Sequence, residues 1–238
     1  MKPYRISQIE ATSSTNDDVK AAAEKNEAEG LVVWALKQTA GRGRHGRVWE
    51  SPEGNLYCSA LLRPKTDASE IGLYSFVVAN AMYDTVRQCL PIADISLKWP
   101  NDVLVEGQKI GGILLEVADG ALIIGVGLNV LHHPEDGLYP STSLRAAGAE
   151  PKPLNEIIDM LLLNLWHWYG VMKKDGFSLV REFWLKHAAT GLLKVRLPQG
   201  QIEGDFAGLD ENGRLKLHLA DGSERAIATG DVFFRTET

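Results

Sequence analysis

Apolar residues recur along this chain at two spacings, and each change of spacing marks an element. Residues 4–10 read as a strand. Ser13, Ser14, Thr15 and Asn16 then offer capping groups ahead of a polar, alanine-rich helix expected to end near Gly30. Residues 31–36 and 56–62 are apolar runs of strand length. Between 69 and 90 the spacing of Ile71, Tyr74, Val77, Val78, Ala81, Met82 and Val86 is helical. Residues 95–99, 103–105, 110–117 and 121–130 read as a meander, because turns at Glu106-Gly107 and Asp119-Gly120 are short enough to require antiparallel neighbours. Pro153 opens a long helix that ends at Lys173, Lys174 and Gly176. Its stripe of Leu154, Ile157, Ile158, Leu161, Leu162, Leu165, Trp168 and Met172 is expected to pack on the sheet.

A shorter helix, 178–186, precedes a change of texture. After Gly191 the chain alternates with period two, and strands 193–197, 202–208, 214–219 and 224–228 are separated by the hairpin signals Pro198-Gln199-Gly200, Asn212-Gly213 and Asp221-Gly222. The fold class that follows is α/β (α+β): a mixed, largely antiparallel sheet packed by helices over residues 1–188, then a small β barrel over 189–238. A unit that small has a thin core and must lean on the larger one.

Composition narrows the function. Apolar residues make up 45% of the 238, which suits a folded chain and excludes a disordered one. The 25 Lys and Arg against 31 Asp and Glu give a net charge of -6, which argues against wholesale nucleic-acid binding but leaves local basic patches open. No apolar run approaches the roughly 18 residues that cross a bilayer, and no signal-peptide core follows Met1, so a cytoplasmic protein without a membrane partner is expected. Cys58 and Cys89 sit in apolar stretches with no metal-ligand spacing and read as reduced core residues. His132-His133 has no carboxylate or cysteine cluster nearby and reads as a surface loop, so no metal site is expected.

The most unusual segment is Thr39-Ala40-Gly41-Arg42-Gly43-Arg44-His45-Gly46-Arg47-Val48-Trp49. Three arginines within six positions of an acidic chain, spaced by glycines that open backbone geometries closed to other residues, suit an anion-binding loop. Three glycines and uncompensated arginines give loop 39–54 little to pack against, so it is expected to be the most mobile part of the ligand-free protein. The bland reading is a solvated surface turn. Gly41, Gly43 and Gly46 satisfy the dinucleotide fingerprint G-x-G-x-x-G, but that motif must open a helix, and Trp49, Ser51, Pro52 and Gly54 lead into a strand instead. The kinase glycine loop lacks its companion motifs here, and a P-loop is absent. A second segment runs from Lys98 to Glu116, where Lys109 and Gly111-Gly112 follow a tight turn. A lysine held on a rigid strand can neutralise charge on a phosphoryl or acyl oxygen, although a solvent-facing hairpin lysine reads equally well.

Taken together, these motifs resemble biotin protein ligases. The resemblance is carried by Ser14-Thr15-Asn16, by the run from Lys37 to Trp49, by Lys98-Trp99-Pro100-Asn101-Asp102, by Lys109-Ile110-Gly111-Gly112-Ile113-Leu114-Leu115-Glu116 and by Gly125-Val126-Gly127-Leu128-Asn129-Val130. It spans about residues 10–130 in order, and the small β unit is similar to that family's SH3-like C-terminal barrel. The resemblance implies activation of biotin with MgATP to biotinyl-5'-AMP and pyrophosphate, then transfer to a lysine of a biotin carboxyl carrier protein. It also implies residue roles. Lys109 would bind the biotin carboxylate and α-phosphate, and Arg42, Arg44 and the loop of Gly43, His45, Gly46, Arg47 and Trp49 would cover the adenylate together with Asn101 and Asn129. Ser14, Thr15, Asn16, Gln38, Gly41, Gly111, Gly112 and Ile113 would surround biotin, and Asp102 would orient Lys109 or the incoming amine.

Each assignment has an ordinary counterpart. Ser14-Thr15-Asn16 serves equally as a helix cap, Gln38 as a strand-end residue, Asn129 as a turn residue, Trp49 as a loop anchor, Trp99 as core and Asn101-Asp102 as a turn. His45 stands where many relatives carry arginine, which removes one permanent charge from the loop. The chain begins at the catalytic strand, so ligase activity without DNA-binding repression is expected, and a homodimer is left open. The competing readings are a lipoate or octanoate ligase, an RNA-binding module using the Arg/Gly loop, and a carrier-binding protein that has lost catalysis.

Overall fold

The alternation that predicts strands sorts side chains onto two faces of one large sheet. A computed structural model describes residues 3–137 and 139–234; residues 1–2 and 235–238, the outer ends of the two expected units, lie outside the described residues. Strands β1 (Arg5–Thr12), β2 (Leu31–Gln38), β3 (Leu56–Leu62), β4 (Ile95–Lys98), β5 (Asp102–Val105), β6 (Gln108–Ala118) and β7 (Ala121–Leu128) lie in the order β1-β2-β3-β7-β6-β5-β4. β1 and β2 are parallel, joined by the crossover helix α1 (Thr15–Ala23), and the remaining pairs are antiparallel. Both expected tight turns adopt left-handed backbone, with φ of 49° and 73° at Glu106 and Gly107 and 48° and 66° at Asp119 and Gly120.

β3 is buried at every position because helices cover both faces of the sheet at this point. On one face lie α2 (Tyr74–Cys89), α3 (Leu154–Asp175) and α4 (Phe177–Lys186); on the other, Val19 and Ala23 of α1 pack against Val33, Leu61, Ala121 and Ile123. Three expectations change here. α1 stops at Ala23, short of Gly30, because Asn26 turns left-handed while its N–H closes a turn on the Ala23 carbonyl, which also accepts from the Arg63 guanidinium at 3.2 Å. The helix expected over 69–90 begins as a 3-10 turn, Ala68–Leu73, and becomes α-helical only from Tyr74. The α3 stripe packs chiefly on α2, with Asn164 donating to Thr85 Oγ1 and Trp168 Nε1 to Asp84, because α2 already occupies the sheet face.

The C-terminal strands β8 (Leu192–Leu197), β9 (Gly200–Leu209), β10 (Leu215–His218), β11 (Glu224–Ile227) and β12 (Asp231–Phe234) form an antiparallel sheet in the order β11-β10-β9-β8-β12. β12 is absent from the pattern reading, since four residues carry too little alternation to register, yet its pairing with β8 brings it beside the larger sheet. The thin core leans as expected. Leu193, Val195, Leu209, Leu215, Leu217 and Val232 join the same buried cluster as α2 and α3. Trp184 stands at the joint, its ring 5.4 Å from Phe76 of α2 and 6.5 Å from Phe206 of β9.

Because Trp184 is 1% exposed and touches both units, Trp184→Ala should destabilise the whole chain by about 3–5 kcal/mol. Urea unfolding followed by far-UV circular dichroism should show one transition moving to lower denaturant. Two separated transitions would mean that the cores do not act as one.

Candidate functional site

The candidate site is built on one row of cross-strand partners. Lys98 pairs with Asp102, Asp102 with Gly112, Gly112 with Gly127, and Gly127 with Tyr57, so these residues share one face across five strands. Ile123, buried against α1, fixes which face this is, because Gly125 and Gly127 follow it at steps of two. Side chains at those two positions would fill the space above the sheet. A Cβ on Gly127 would lie 2.5 Å from the Trp49 ring, and one on Gly125 would collide with Asn16 Oδ1. The glycines therefore sink a floor between the end of α1 and the outer strands.

Lys109 reaches this floor through a register irregularity. Leu104 pairs with Lys109 but Val103 with Gly111, so Ile110 is one residue in excess on β6. Regular alternation would send residues 109 and 112 to opposite faces; the bulge returns Lys109 to the face of Gly112, where its Nζ lies 3.3 Å from the position of a Gly112 Cβ. On its other side the Lys109 backbone N–H donates to the Pro140 carbonyl, and its carbonyl accepts from the Thr142 N–H.

Three charges meet on that row. Lys109 Nζ lies 2.5 Å from Asp102 Oδ1, and Lys98 Nζ lies 3.0 Å from Asp102 Oδ2. Asp102 and Lys98 are both 5% exposed. Burial works against ionisation of Asp102, but the charges of Lys109 and Lys98 outweigh it and hold the carboxyl below its usual range. Burial likewise lowers Lys98, against the pull of Asp102. Lys98 also donates to the Val232 carbonyl and sits 3.8 Å above the centre of the Tyr139 ring. Burial, reinforced by the nearby Asp231 charge, pushes the Tyr139 phenol up to about 12.

The arginine loop arches over the same floor, and its arginines are not free of counter-charge as expected. Arg42 makes a two-pronged pair with Asp17 of α1 at 2.6 and 2.8 Å, which raises its pKa. Arg47 donates to Asp231 of β12, which outweighs burial and raises Arg47 as well. Sequence-local reading misses both partners because Asp17 and Asp231 come from distant segments. Arg44 differs: its contacts with Asn101 Oδ1 and the Gly230 carbonyl are each 3.4 Å, and burial pulls it below its usual range despite Asp231 and Asp102. A guanidinium does not lose its proton in a protein, so this marks a charge short of solvation and suited to an anion.

At the opposite end, polar groups converge. Gln38 Oε1 accepts from the Thr15 backbone and hydroxyl, Gln38 Nε2 donates to Ser51, and Ser59 donates to Asn16 Oδ1 at 2.6 Å. Asn16 Nδ2 donates to Glu116. Ser14 holds the N-cap position of α1 without a side-chain capping bond and lines the cleft. Trp49 lies across the glycine floor with its indole N–H buried and lacking an acceptor, and with Lys109 Nζ 5.4 Å from its ring.

The cleft so formed has a volume of about 250 Å³. Of the residues singled out from sequence, Ser14, Thr15, Asn16, Gln38, Arg42, Gly43, Arg44, Arg47, Trp49, Asn101, Asp102, Lys109, Gly112, Ile113 and Asn129 line it, whereas Gly41, His45, Gly46 and Gly111 do not. Gly41 instead accepts from the Trp49 backbone, Gly111 packs under Met82, and His45 is exposed in the short 3-10 turn Arg44–Gly46. Asn129 is buried and donates to the Thr142 carbonyl; Asn101 donates to that of Ile113. Trp99 is 4% exposed, and its indole donates to the Gly213 carbonyl of the small sheet. Sequence reasoning assigned no role to Lys98, Tyr139 or Asp231, which also line the cleft. Lys98 carried a usable signal, a lysine inside an apolar strand; Asp231 lay in the Gly230-Asp231-Val232 motif that resembles the family's barrel, but nothing local tied it to the cleft.

The family model of the biotin/lipoate A/B protein ligase family matches residues 8–131, and that of the biotin protein ligase C terminal domain matches residues 194–235. The chain is 34% identical to the biotin--[acetyl-CoA-carboxylase] ligase of Paracoccus denitrificans, covering 94% of this chain and 98% of that protein. It is also 34% identical to the ligase of the same name from Mycobacterium tuberculosis, over 96% and 88%. The biotin protein ligase of Aquifex aeolicus, solved with biotin and ATP, superposes with a TM-score of 0.86 at 28% identity, covering 98% of this chain and 99% of that one. The chain therefore belongs to the biotin/lipoate A/B protein ligase family. Within it, this is a biotin protein ligase.

The buried charges give a pH test. The depressed Asp102 pKa contributes stability that is present above the unfolded value of about 3.9 and is lost as pH falls through the lower folded value. Asp102→Asn should cost about 3–5 kcal/mol at pH 7, because it leaves Lys98 buried without its counter-charge. The gap between parent and variant should close as pH drops below about 4, measured by urea unfolding at pH 7 to 2.5. A gap independent of pH would show that the carboxylate's charge is not what stabilises this row.

Proposed function

We propose that this cleft joins biotin to ATP and then hands the biotinyl group to a lysine of a biotin carboxyl carrier protein. The observation that carries the reading is the juxtaposition of Lys109 and Arg44 beside a glycine floor that also adjoins the Thr15, Asn16 and Gln38 polar cluster. A carboxylate is a poor electrophile, and its approach to a triphosphate brings two anions together. Lys98, Lys109, Arg44 and Arg47 face Asp102 and Asp231 at this end of the cleft, so two positive charges are left for the incoming anions.

In the first step a biotin carboxylate oxygen attacks the α-phosphorus, the new bond is the acyl–phosphate link, and pyrophosphate leaves with the electron pair of the broken phosphoanhydride. Lys109 and Arg44 hold the two anions in attacking geometry and offset their repulsion. Magnesium enters as part of the nucleotide substrate. In the second step the carrier's amine attacks the acyl carbon and AMP leaves. Asp102 keeps Lys109 aimed. The ureido end of biotin, whose polar atoms need partners when buried, suits Ser14, Thr15, Asn16 and Gln38. Residues 1–188 form the catalytic unit and 189–238 the accessory β unit in this reading. The protein works in the cytoplasm, where carrier proteins are made; no helix among the described residues is long and apolar enough to cross a membrane.

ATP–pyrophosphate exchange with biotin, lipoate and octanoate at equal concentrations tests the reading, with exchange expected for biotin. Lys109→Ala should lower it by about 10²- to 10³-fold in a folded variant, and near-parental exchange would remove Lys109 from the mechanism. Exchange with lipoate or octanoate in place of biotin would move the chain to the sister chemistry.

A further inference from the structure

We infer that Asp231, on β12 of the small sheet, is a positioning residue for the anion site: it holds Arg47 and so sets how the arginine loop meets the nucleotide phosphates. The inference rests on the ATP-dependent reading above. It starts from a juxtaposition. Three consecutive residues of the second unit each hold a different cation of the cleft: the Gly230 carbonyl accepts from Arg44 at 3.4 Å, the Asp231 carboxylate from Arg47, and the Val232 carbonyl from Lys98 at 3.4 Å. Of these three acceptors only Asp231 carries a formal charge.

The strand fixes where that charge stands. Asp231 pairs with Arg196 and Val232 with Val195 on β8, and Val232 is 2% exposed in the shared core. Period-two alternation then sends Asp231 away from the small core and into the cleft, where its side chain is 13% exposed. Phe233 stacks on Tyr139 at 5.0 Å, and so ties the same strand to the loop that closes over Lys109. The carboxylate is thus anchored on a rigid element, and its partner is not. Arg47 lies just beyond Gly46 on the arginine loop, and a long side chain on such a loop has much conformational freedom to lose when it grips a phosphate. Pairing with Asp231 removes part of that freedom before the nucleotide arrives. Arg47 stands between Asp231 and the ligand, so the effect belongs to nucleotide binding and not to the bond-making step.

The test uses the full-length protein with Asp231→Asn, Arg47→Gln and the double variant. Asp231→Asn should raise KM for ATP by about tenfold while kcat and KM for biotin stay within about twofold, and Arg47→Gln, which removes the phosphate contact itself, should raise KM for ATP at least as much. The double variant should be no worse than Arg47→Gln alone, since the arginine whose position Asp231 sets is then already gone. Limited trypsin digestion without substrates supplies a second readout: Asp231→Asn should be cut faster at Arg44 and Arg47, with cutting elsewhere unchanged. Tighter ATP binding in Asp231→Asn would make the carboxylate a competitor of the nucleotide and overturn the inference. So would losses that multiply in the double variant, or unchanged ATP KM with unchanged loop cleavage. Arg47→Gln, a change confined to the loop, decides the point if Asp231→Asn folds poorly. A parent chain without biotin-dependent exchange would bring down the functional reading and this inference with it, whereas an active parent with a silent Asp231→Asn overturns the inference alone.

Discussion

A single carboxylate held between two lysines organises this molecule's chemistry. Asp102 is nearly inaccessible to water, and its ionisation there is sustained only because Lys98 and Lys109 reach it from strands on either side. The cluster carries a net positive charge in a buried setting, a condition that favours an arriving anion over water. The rest of the site follows from that imbalance. Arg44 adds a half-solvated cation at one edge, while Arg42 is neutralised by Asp17 and serves to tie the loop to α1.

The charge cluster would be useless without an empty space beside it. A sheet with ordinary side chains on this face would be filled to the height of α1, as it is at Ile123 and Leu61. Gly112, Gly125 and Gly127 leave the same face bare, and Trp49 and Asn16 settle into the room they leave. One residue in excess on β6 then turns Lys109 onto the bare face. Floor and cation are thus consequences of backbone geometry on three neighbouring strands, and their relative positions are as rigid as the sheet.

The small sheet is part of this arrangement, not an appendage. Its core is continuous with that of the larger unit through Trp184, the Trp99 indole bonds to its Gly213 turn, and β12 supplies one wall of the cleft. A mainly apolar joint gives firmness, and the polar contacts of residues 230–232 give it a say in how the cations stand.

The order of strands and helices was legible because burial imposes period two or 3.6 on the residues themselves, and the tight turns at Glu106-Gly107 and Asp119-Gly120 declared their antiparallel neighbours. The arginine-glycine loop and Lys109 could be picked out for a similar reason: charge and backbone freedom are properties of short segments. What pairs with what could not be read in the same way. Asp17 and Asp231 pair with arginines 25 and 184 residues away, α3 lies on α2 because α2 took the sheet face first, and β12 is too short to announce itself. The side of the sheet to which Lys109 points turns on one bulged residue, which no periodicity displays. Local sequence determined the elements and the kinds of chemistry on offer; the partner of each charge, and therefore which cations remain available to a ligand, was decided only when distant segments were packed together.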